Sequence, residues 1–219
     1  LGICTTCALK LPERKNGFCR SCGEFIDLGD GLCSNCLQNP PPWKSFYFYG
    51  AYAGYMRELL HQVKFSQGLH QAEALGKLLA AKLLAAKLLA ARLLAEPSAL
   101  TAAYDCIIPV PLHKDSLRER GFNQSALLAG PVSRQLNIPL RQKLLIKNRA
   151  TPTQHGLSRK LRLKNMQGVF SAGKVNNLRI LLLDDVLTTG ATLRCASLCL
   201  LQAGAERVDT AVLARTPKK

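Results

Sequence analysis

The run Ile180-Leu-Leu-Leu-Asp-Asp-Val-Leu-Thr-Thr-Gly-Ala-Thr-Leu193 constrains this chain more than any other stretch. Its four opening aliphatic residues read as a short strand buried on both faces, the pattern of a parallel sheet. The strand is expected to stop at two carboxylates, Asp184 and Asp185. Thr188, Thr189, Gly190, Ala191 and Thr192 follow, and an apolar run to Leu201 then reads as a helix. A loop feeding a helix N-terminus offers unpaired backbone N–H groups and a partial positive charge. Gly190 allows positive φ and close approach of a ligand to the backbone. Three threonines add hydroxyl donors, and the whole forms a cup for a phosphate. The acids at its lip can accept hydrogen bonds from a sugar diol. One ligand with a phosphate and a neighbouring ribose diol fits both halves. The plainer alternative is a strand-to-helix turn with a capping Asp, which an isolated Asp-Asp would favour.

A chain of 219 residues is long enough for one large domain, or one domain and a small module, and 47% hydrophobic residues suffice for a core. The formal charge of +16 points to anionic partners such as nucleotides, phosphates or nucleic acid. No stretch is long and charge-free enough to span a membrane.

Six of the nine cysteines fall in Cys-x-x-Cys pairs, which reads as metal binding in a reducing cytoplasm rather than a disulfide framework. Residues 1–42 are expected to form a separate module. Cys19-Arg-Ser-Cys22 and Cys33-Ser-Asn-Cys36 are two knuckles ten residues apart, and four thiolates so delivered suit tetrahedral zinc. The segment has few large apolar residues, so metal binding would supply much of its stability. Cys4-Thr-Thr-Cys7 is a third knuckle. Either it completes a second ribbon whose first half lies upstream of Leu1, or it is a spare pair that binds nothing.

Asn39-Pro-Pro-Pro-Trp43 reads as a stiff linker into a domain spanning residues 43–219. Residues 46–52 read as an aromatic strand, packed against the core or stacking on nucleic-acid bases. A helix is expected from about Tyr55 to Phe65, with Leu59, Leu60 and Val63 as its apolar stripe and Lys64 at its end. His61 and His70 read as surface helix residues. Residues 77–96 repeat Lys-Leu-Leu-Ala-Ala three times and close with Arg-Leu-Leu-Ala-Glu. The composition is helical. The five-residue period turns successive lysines by about 140°, so charge spirals and no membrane face forms. This is a lengthened structural helix, ended by Pro97 and Ser98.

Residues 104–111 read as another strand, running into a proline-stiffened loop. Residues 113–124 then form a basic turn at Gly121, flanked by Lys114, Arg118 and Arg120. From Arg120 to Leu183 there is no acidic residue, while Arg141, Lys143, Lys147, Arg149, Arg159, Lys160, Arg162 and Lys164 are all present. One-sided charge over this length suggests an anion-facing surface. Within it, residues 149–165 read as a mobile hood over a phosphate site, with single-stranded DNA the other candidate ligand. Residues 191–203 read as a helix capped by Gly204, and residues 207–214 as a final strand. Cys106, Cys195 and Cys199 read as core thiols.

The run from the aliphatic strand through both acids to the Thr-Thr-Gly-x-Thr loop resembles the 5-phosphoribosyl-1-pyrophosphate (PRPP) motif of type I phosphoribosyltransferases. Taken with the cysteine knuckles, the Pro-Pro-Pro-Trp linker, Pro109-Val-Pro111, Arg120-Gly-Phe-Asn-Gln124 and Thr153-Gln-His155, the chain resembles the ComF family of bacterial competence over nearly its whole length. The resemblance implies an α/β fold of the type I phosphoribosyltransferase kind: a central, mainly parallel sheet flanked by helices, with a small N-terminal zinc ribbon. It departs from the family in showing one complete ribbon where two are common, and in the longer pentapeptide helix. It implies that Asp184 and Asp185 bind the ribose 2- and 3-hydroxyls and that residues 188–192 wrap the 5-phosphate. Arg118 and Arg120 would receive the pyrophosphate, for which guanidinium forks are suited. Mg²⁺ would accompany PRPP, structural Zn²⁺ would sit in the ribbon, and the reaction would be displacement at C1 with loss of pyrophosphate.

The resemblance also implies a part in bringing transforming single-stranded DNA into the cytoplasm. Partners would then include a competence helicase or DNA-processing proteins, met at the inner face of the cytoplasmic membrane. Arg159, Lys160, Arg162 and Lys164 are the DNA-binding candidates. A non-catalytic DNA-uptake factor, with the PRPP cup a sensor or relic, is the alternative to an enzyme.

Overall fold

A computed structural model describes residues 4–12, 17–26, 31–65, 68–94, 104–149 and 168–216. Two short helices, α1 (Thr5–Leu9) and α2 (Ser34–Gln38), belong to the cysteine-rich start. Strand β1 (Phe46–Ala51), helix α3 (Gly54–Phe65) and the long helix α4 (Leu69–Leu94) follow, then β2 (Cys106–Pro109). Next come α5 (Lys114–Arg120), α6 (Gln124–Leu136), β3 (Leu145–Lys147) and β4 (Phe170–Ala172). The chain closes with β5 (Arg179–Leu187), α7 (Ala191–Gln202) and β6 (Arg207–Arg215).

The main sheet has the order β1-β6-β5-β2, and every pairing is parallel. The aliphatic run at 180–183 lies in one of its two inner strands, as its pattern predicts. Alternation divides that run between two cores. Leu181 and Leu183 face a cluster with Met56, Leu60, Leu75, Leu79 and Leu128 from α3, α4 and α6. Ile180 and Leu182 face the opposite side, with Leu193, Ala196 and Leu200 of α7. Helices therefore cover both faces, as a parallel sheet requires. The strand differs from expectation at its end. It continues past the acids to Leu187, with Asp184 in register with Val212 and Leu187 with Arg215. Pairing with the long β6 outweighs the poor strand preference of two aspartates.

The aromatic strand packs rather than waits for bases. Phe46 and Phe48 are buried and stack at 5.6 Å, and Phe18 of the cysteine-rich segment meets Phe48 edge-on at 5.4 Å. Gly23, at φ +67°, makes this docking possible, because a Cβ there would come within 2.7 Å of the Phe46 ring. Residues 77–94 of the pentapeptide repeat lie in α4, whose buried Leu78, Leu79 and Leu83 face the core while Lys77 pairs with Glu73. The expected end at Pro97 and Ser98 lies outside the described residues.

Residues 114–120 are helical rather than a loop. Gly121 in the left-handed region caps α5, and Asn123 caps α6 by accepting from Ser125 N. The Arg-Gly-Phe-Asn-Gln element is thus a junction between two helices, fastened further by Asn123 Nδ2 donating to Val110 O. β3 and β4 form an antiparallel pair on either side, in sequence, of residues 150–167. Beyond Arg149, the hood, with Arg159, Lys160, Arg162 and Lys164, lies outside the described residues.

Candidate functional site

Asp184 and Asp185 stand near the carboxyl end of β5, and the chain turns through residues 188–190 into α7. Gly190 takes φ 80° as the residue before the helix and, as a glycine, offers no side chain to cap it. Thr189 Oγ1 accepts weakly from Ala191 N at 3.4 Å. The first backbone N–H groups of a twelve-residue helix therefore lie beside the threonine hydroxyls, the arrangement an anionic oxygen needs.

The two acids are held differently. Asp184 Oδ1 accepts from Ser125 Oγ at 2.7 Å and from Asp185 N at 3.0 Å. Asp185 Oδ1 accepts from Val186 N, and its Oδ2 pairs with Lys64 Nζ at 3.0 Å. Burial, reinforced by the Asp185 charge, pushes the Asp184 carboxyl up to about 7. Ser125, Asp185 N and Lys64 pull the other way. Burial disfavours the Lys64 cation, yet Asp185 outweighs it and raises the lysine above its ordinary value. Lys147 of β3 lies within electrostatic reach of Asp184, and burial lowers its pKa against that attraction. An acid pair with one member poised near neutrality suits a hard cation such as Mg²⁺, which binds through one or two carboxylates and the phosphates of its ligand.

Arg118 is exposed on the last turn of α5. Arg120 donates to Gln124 Oε1 at 2.9 Å. Gln124 is 2% exposed, and its Nε2 has no partner, an orphan donor beside the arginine. Ser125 follows directly, so one helix start joins the basic turn to the acid pair.

The four cysteines at 19, 22, 33 and 36 converge. Their Sγ atoms all lie within 4.8 Å of one another, and Cys22 Sγ sits 3.7 Å from Cys33 Sγ. Tetrahedral zinc with bonds of about 2.3 Å would set its sulfurs about 3.8 Å apart, so the residues fit such an ion. None is in a disulfide. Burial pushes the Cys22 thiol up to about 12, a cost that a bound cation would reverse. Cys4 and Cys7 lie apart from this group. Cys7 accepts from Tyr55 Oη at 3.6 Å, and both line a cavity of about 260 Å³ with Tyr55 and His70.

Lys64, Ser125 and Arg215 escape a role in the sequence reading, and Lys147 is read there only as part of the basic stretch. Arg215 is the most connected of them. It is 4% exposed and bonds Cys22 O, Leu187 O, Thr188 O and Thr216 O while pairing with Glu24. An arginine closing the apolar run Ala211-Val-Leu-Ala was the available signal, because a cation there needs buried partners. For Lys64 there was no local signal, since its partner is distant in sequence.

A phosphoribosyl transferase domain family model matches residues 123–219, from the cap of α6 through the acids and β6. DNA utilization protein YhgH of Escherichia coli (strain K12) is 36% identical over 216 residues, covering 98% of this chain and 91% of that protein. Competence protein F of Haemophilus influenzae is 32% identical over 218 residues, 98% of this chain and 90% of that one. Competence protein ComFC of Bacillus subtilis is 35% identical over 100 residues, 45% of this chain and 39% of that one.

Proposed function

The chain belongs to the family of competence protein F, ComFC and DNA utilization protein YhgH, and we propose that it binds PRPP as a phosphoribosyltransferase-like protein acting in uptake of single-stranded transforming DNA. The observation that carries the PRPP reading is the 2.7 Å hydrogen bond from Ser125 to Asp184. It fastens the helix that follows the basic turn to the acid pair, so both ends of one extended anion are addressed together.

In this reading Asp184 and Asp185 accept from the ribose 2- and 3-hydroxyls. The 188–192 loop and the start of α7 take the 5-phosphate. Arg118 and Arg120 take the pyrophosphate, as forked guanidinium groups can. Asp184 and Asp185 would also hold Mg²⁺, which when bound neutralises charge on the leaving group. Zn²⁺ is the ion proposed for the cysteine tetrad.

The test is calorimetric titration of PRPP with Mg²⁺ into wild type and Asp184→Asn/Asp185→Asn. Magnesium-dependent binding lost in the double variant is the expected result, and screening acceptor bases for pyrophosphate release would follow. No binding by folded, zinc-loaded wild type would sink this reading.

The acid-free stretch favours a second reading, a single-strand-binding uptake factor whose cup senses PRPP. Arg141, Lys143 and Arg149 of that stretch are exposed. Electrostatic binding of this kind weakens steeply with salt. Charge reversal at Arg159, Lys160 and Arg162 should weaken single-stranded DNA binding, and unchanged affinity would reject it.

A further inference from the structure

The first cysteine knuckle underlies the phosphate loop. Two backbone carbonyls of that knuckle, those of Ser21 and Cys22, are each taken by a buried side chain that also reaches the loop. Trp43 Nε1 donates to Ser21 O at 2.7 Å. Its ring lies beside Gly190, where an added Cβ would stand 4.0 Å from it. Arg194 of α7 covers the same ring at 5.7 Å and donates to Asn39 O and Pro40 O of the linker. Arg215 makes the second link. Its Nε donates to Cys22 O at 3.1 Å, and its Nη2 meets Glu24 Oε2 at 2.6 Å. Its Nη1 donates to Leu187 O at 3.2 Å and Thr188 O at 2.7 Å.

A guanidinium is planar and rigid, so these donors cannot be reassigned one at a time. The carbonyls it fixes also fix the loop's amides. A trans peptide sets each N–H opposite the preceding C=O, and the described residues contain no cis bond. Holding Leu187 O and Thr188 O against Arg215 therefore turns the N–H groups of Thr188 and Thr189 to the other side. Cys22 is both a member of the tetrad and an anchor of Arg215, so a metal that fixes Cys22 fixes that orientation.

Resting on the PRPP and metal readings above, we propose that metal in the Cys19, Cys22, Cys33 and Cys36 tetrad and PRPP in the 188–192 loop are thermodynamically coupled, with Arg215 as the positioning residue between them. Coupling between two sites is reciprocal. Metal then raises PRPP affinity, and PRPP raises metal affinity by the same factor. Couplings of this kind are roughly 5–150-fold.

The experiment measures Mg·PRPP affinity of the full chain, zinc-loaded and zinc-stripped, and zinc affinity by chelator competition with and without saturating Mg·PRPP. Wild type and Glu24→Gln are compared. Glu24→Gln removes the counter-charge that seats Arg215 and leaves every cysteine in place. Stripping should weaken PRPP binding about tenfold, PRPP should tighten zinc by the same factor, and both factors should fall toward one in Glu24→Gln. A merely structural role would lower thermal stability without that matched pair of changes. Equal PRPP affinity in loaded and stripped wild type overturns the coupling alone. Absence of binding to loaded wild type overturns the PRPP reading and the coupling with it. Should stripping unfold the chain, loaded Glu24→Gln decides: weakened PRPP binding supports the coupling, and wild-type affinity overturns it.

Discussion

Lys64 Nζ lies 3.0 Å from Asp185 Oδ2, so the last turn of α3 delivers a cation to the acid pair of β5. Two neighbouring carboxylates repel when both ionise, so the Asp185 charge adds to burial in raising Asp184. Lys64 supplies a counter-charge that lowers Asp184 against those two effects.

Lys64→Met should therefore move the Asp184 titration upward from its midpoint near 7. Carboxyl ¹³C chemical shifts against pH report that midpoint directly. In the proposed reading Mg·PRPP binding draws on ionised Asp184, so it should weaken most at pH 7 and recover as pH rises. An unmoved midpoint would mean that solvent, rather than Lys64, compensates the acids.

Asp184 makes stability depend on pH in a direction opposite to the common carboxylate. Its folded pKa is raised from the ordinary 3.8 to about 7. Between those values the folded chain holds a proton that the unfolded chain has released, so stability is full below about 4 and is lost as pH climbs through 7. Three powers of ten in proton affinity amount to at most about 4 kcal/mol. Asp184→Asn cannot ionise. Urea denaturation should find it more stable than wild type at pH 8 and nearly equal at pH 4. Lower stability of the variant at pH 8 would refute the raised pKa.

The contrast between β5 and Lys64 shows what a sequence discloses. Four aliphatic residues, two acids and a Thr-Thr-Gly-x-Thr loop announce their strand and helix locally, because each depends on neighbours in the chain. The end of the strand was misread, since its continuation to Leu187 depends on pairing with β6. The tetrad at 19, 22, 33 and 36 was legible because metal spacing is a local rule. Lys64, Ser125 and Arg215 owe their roles to partners far along the chain, which only the folded arrangement brings near. The same holds for Gly121 and Asn123, whose pairing as helix caps turned an expected basic loop into α5 and the start of α6.

Asp209 is fully buried near the opposite end of the sheet and accepts from four donors. They are Ser45 N at 2.9 Å, Tyr104 Oη at 2.7 Å, and Arg207 Nε and Nη2 at 3.0 and 2.6 Å. The cluster ties the start of β1 and the approach to β2 onto β6. Asp209→Asn leaves the arginine uncompensated and turns an amide N–H₂ toward donors. Arg207 is partly exposed and keeps Ser45 Oγ, so the cost falls mainly on the buried donors left without an acceptor, about 1–3 kcal/mol. Thermal denaturation should show a fall in Tm, and a loss under 1 kcal/mol would mean that water replaces the carboxylate.

Gly76 sits in α4 where that helix meets α6, and alanine there should cost stability. Alanine is favoured over glycine inside a helix by about 1 kcal/mol. At Gly76 a new Cβ would lie 2.7 Å from Leu128 O and 2.8 Å from the Pro131 ring. Neither a helix backbone nor a proline ring can swing aside, so the two helices must separate. Overpacking of this kind costs about 1–3 kcal/mol and offsets or exceeds the propensity gain. Gly76→Ala should lower the urea midpoint. A rise would show that α4 and α6 can part without loss.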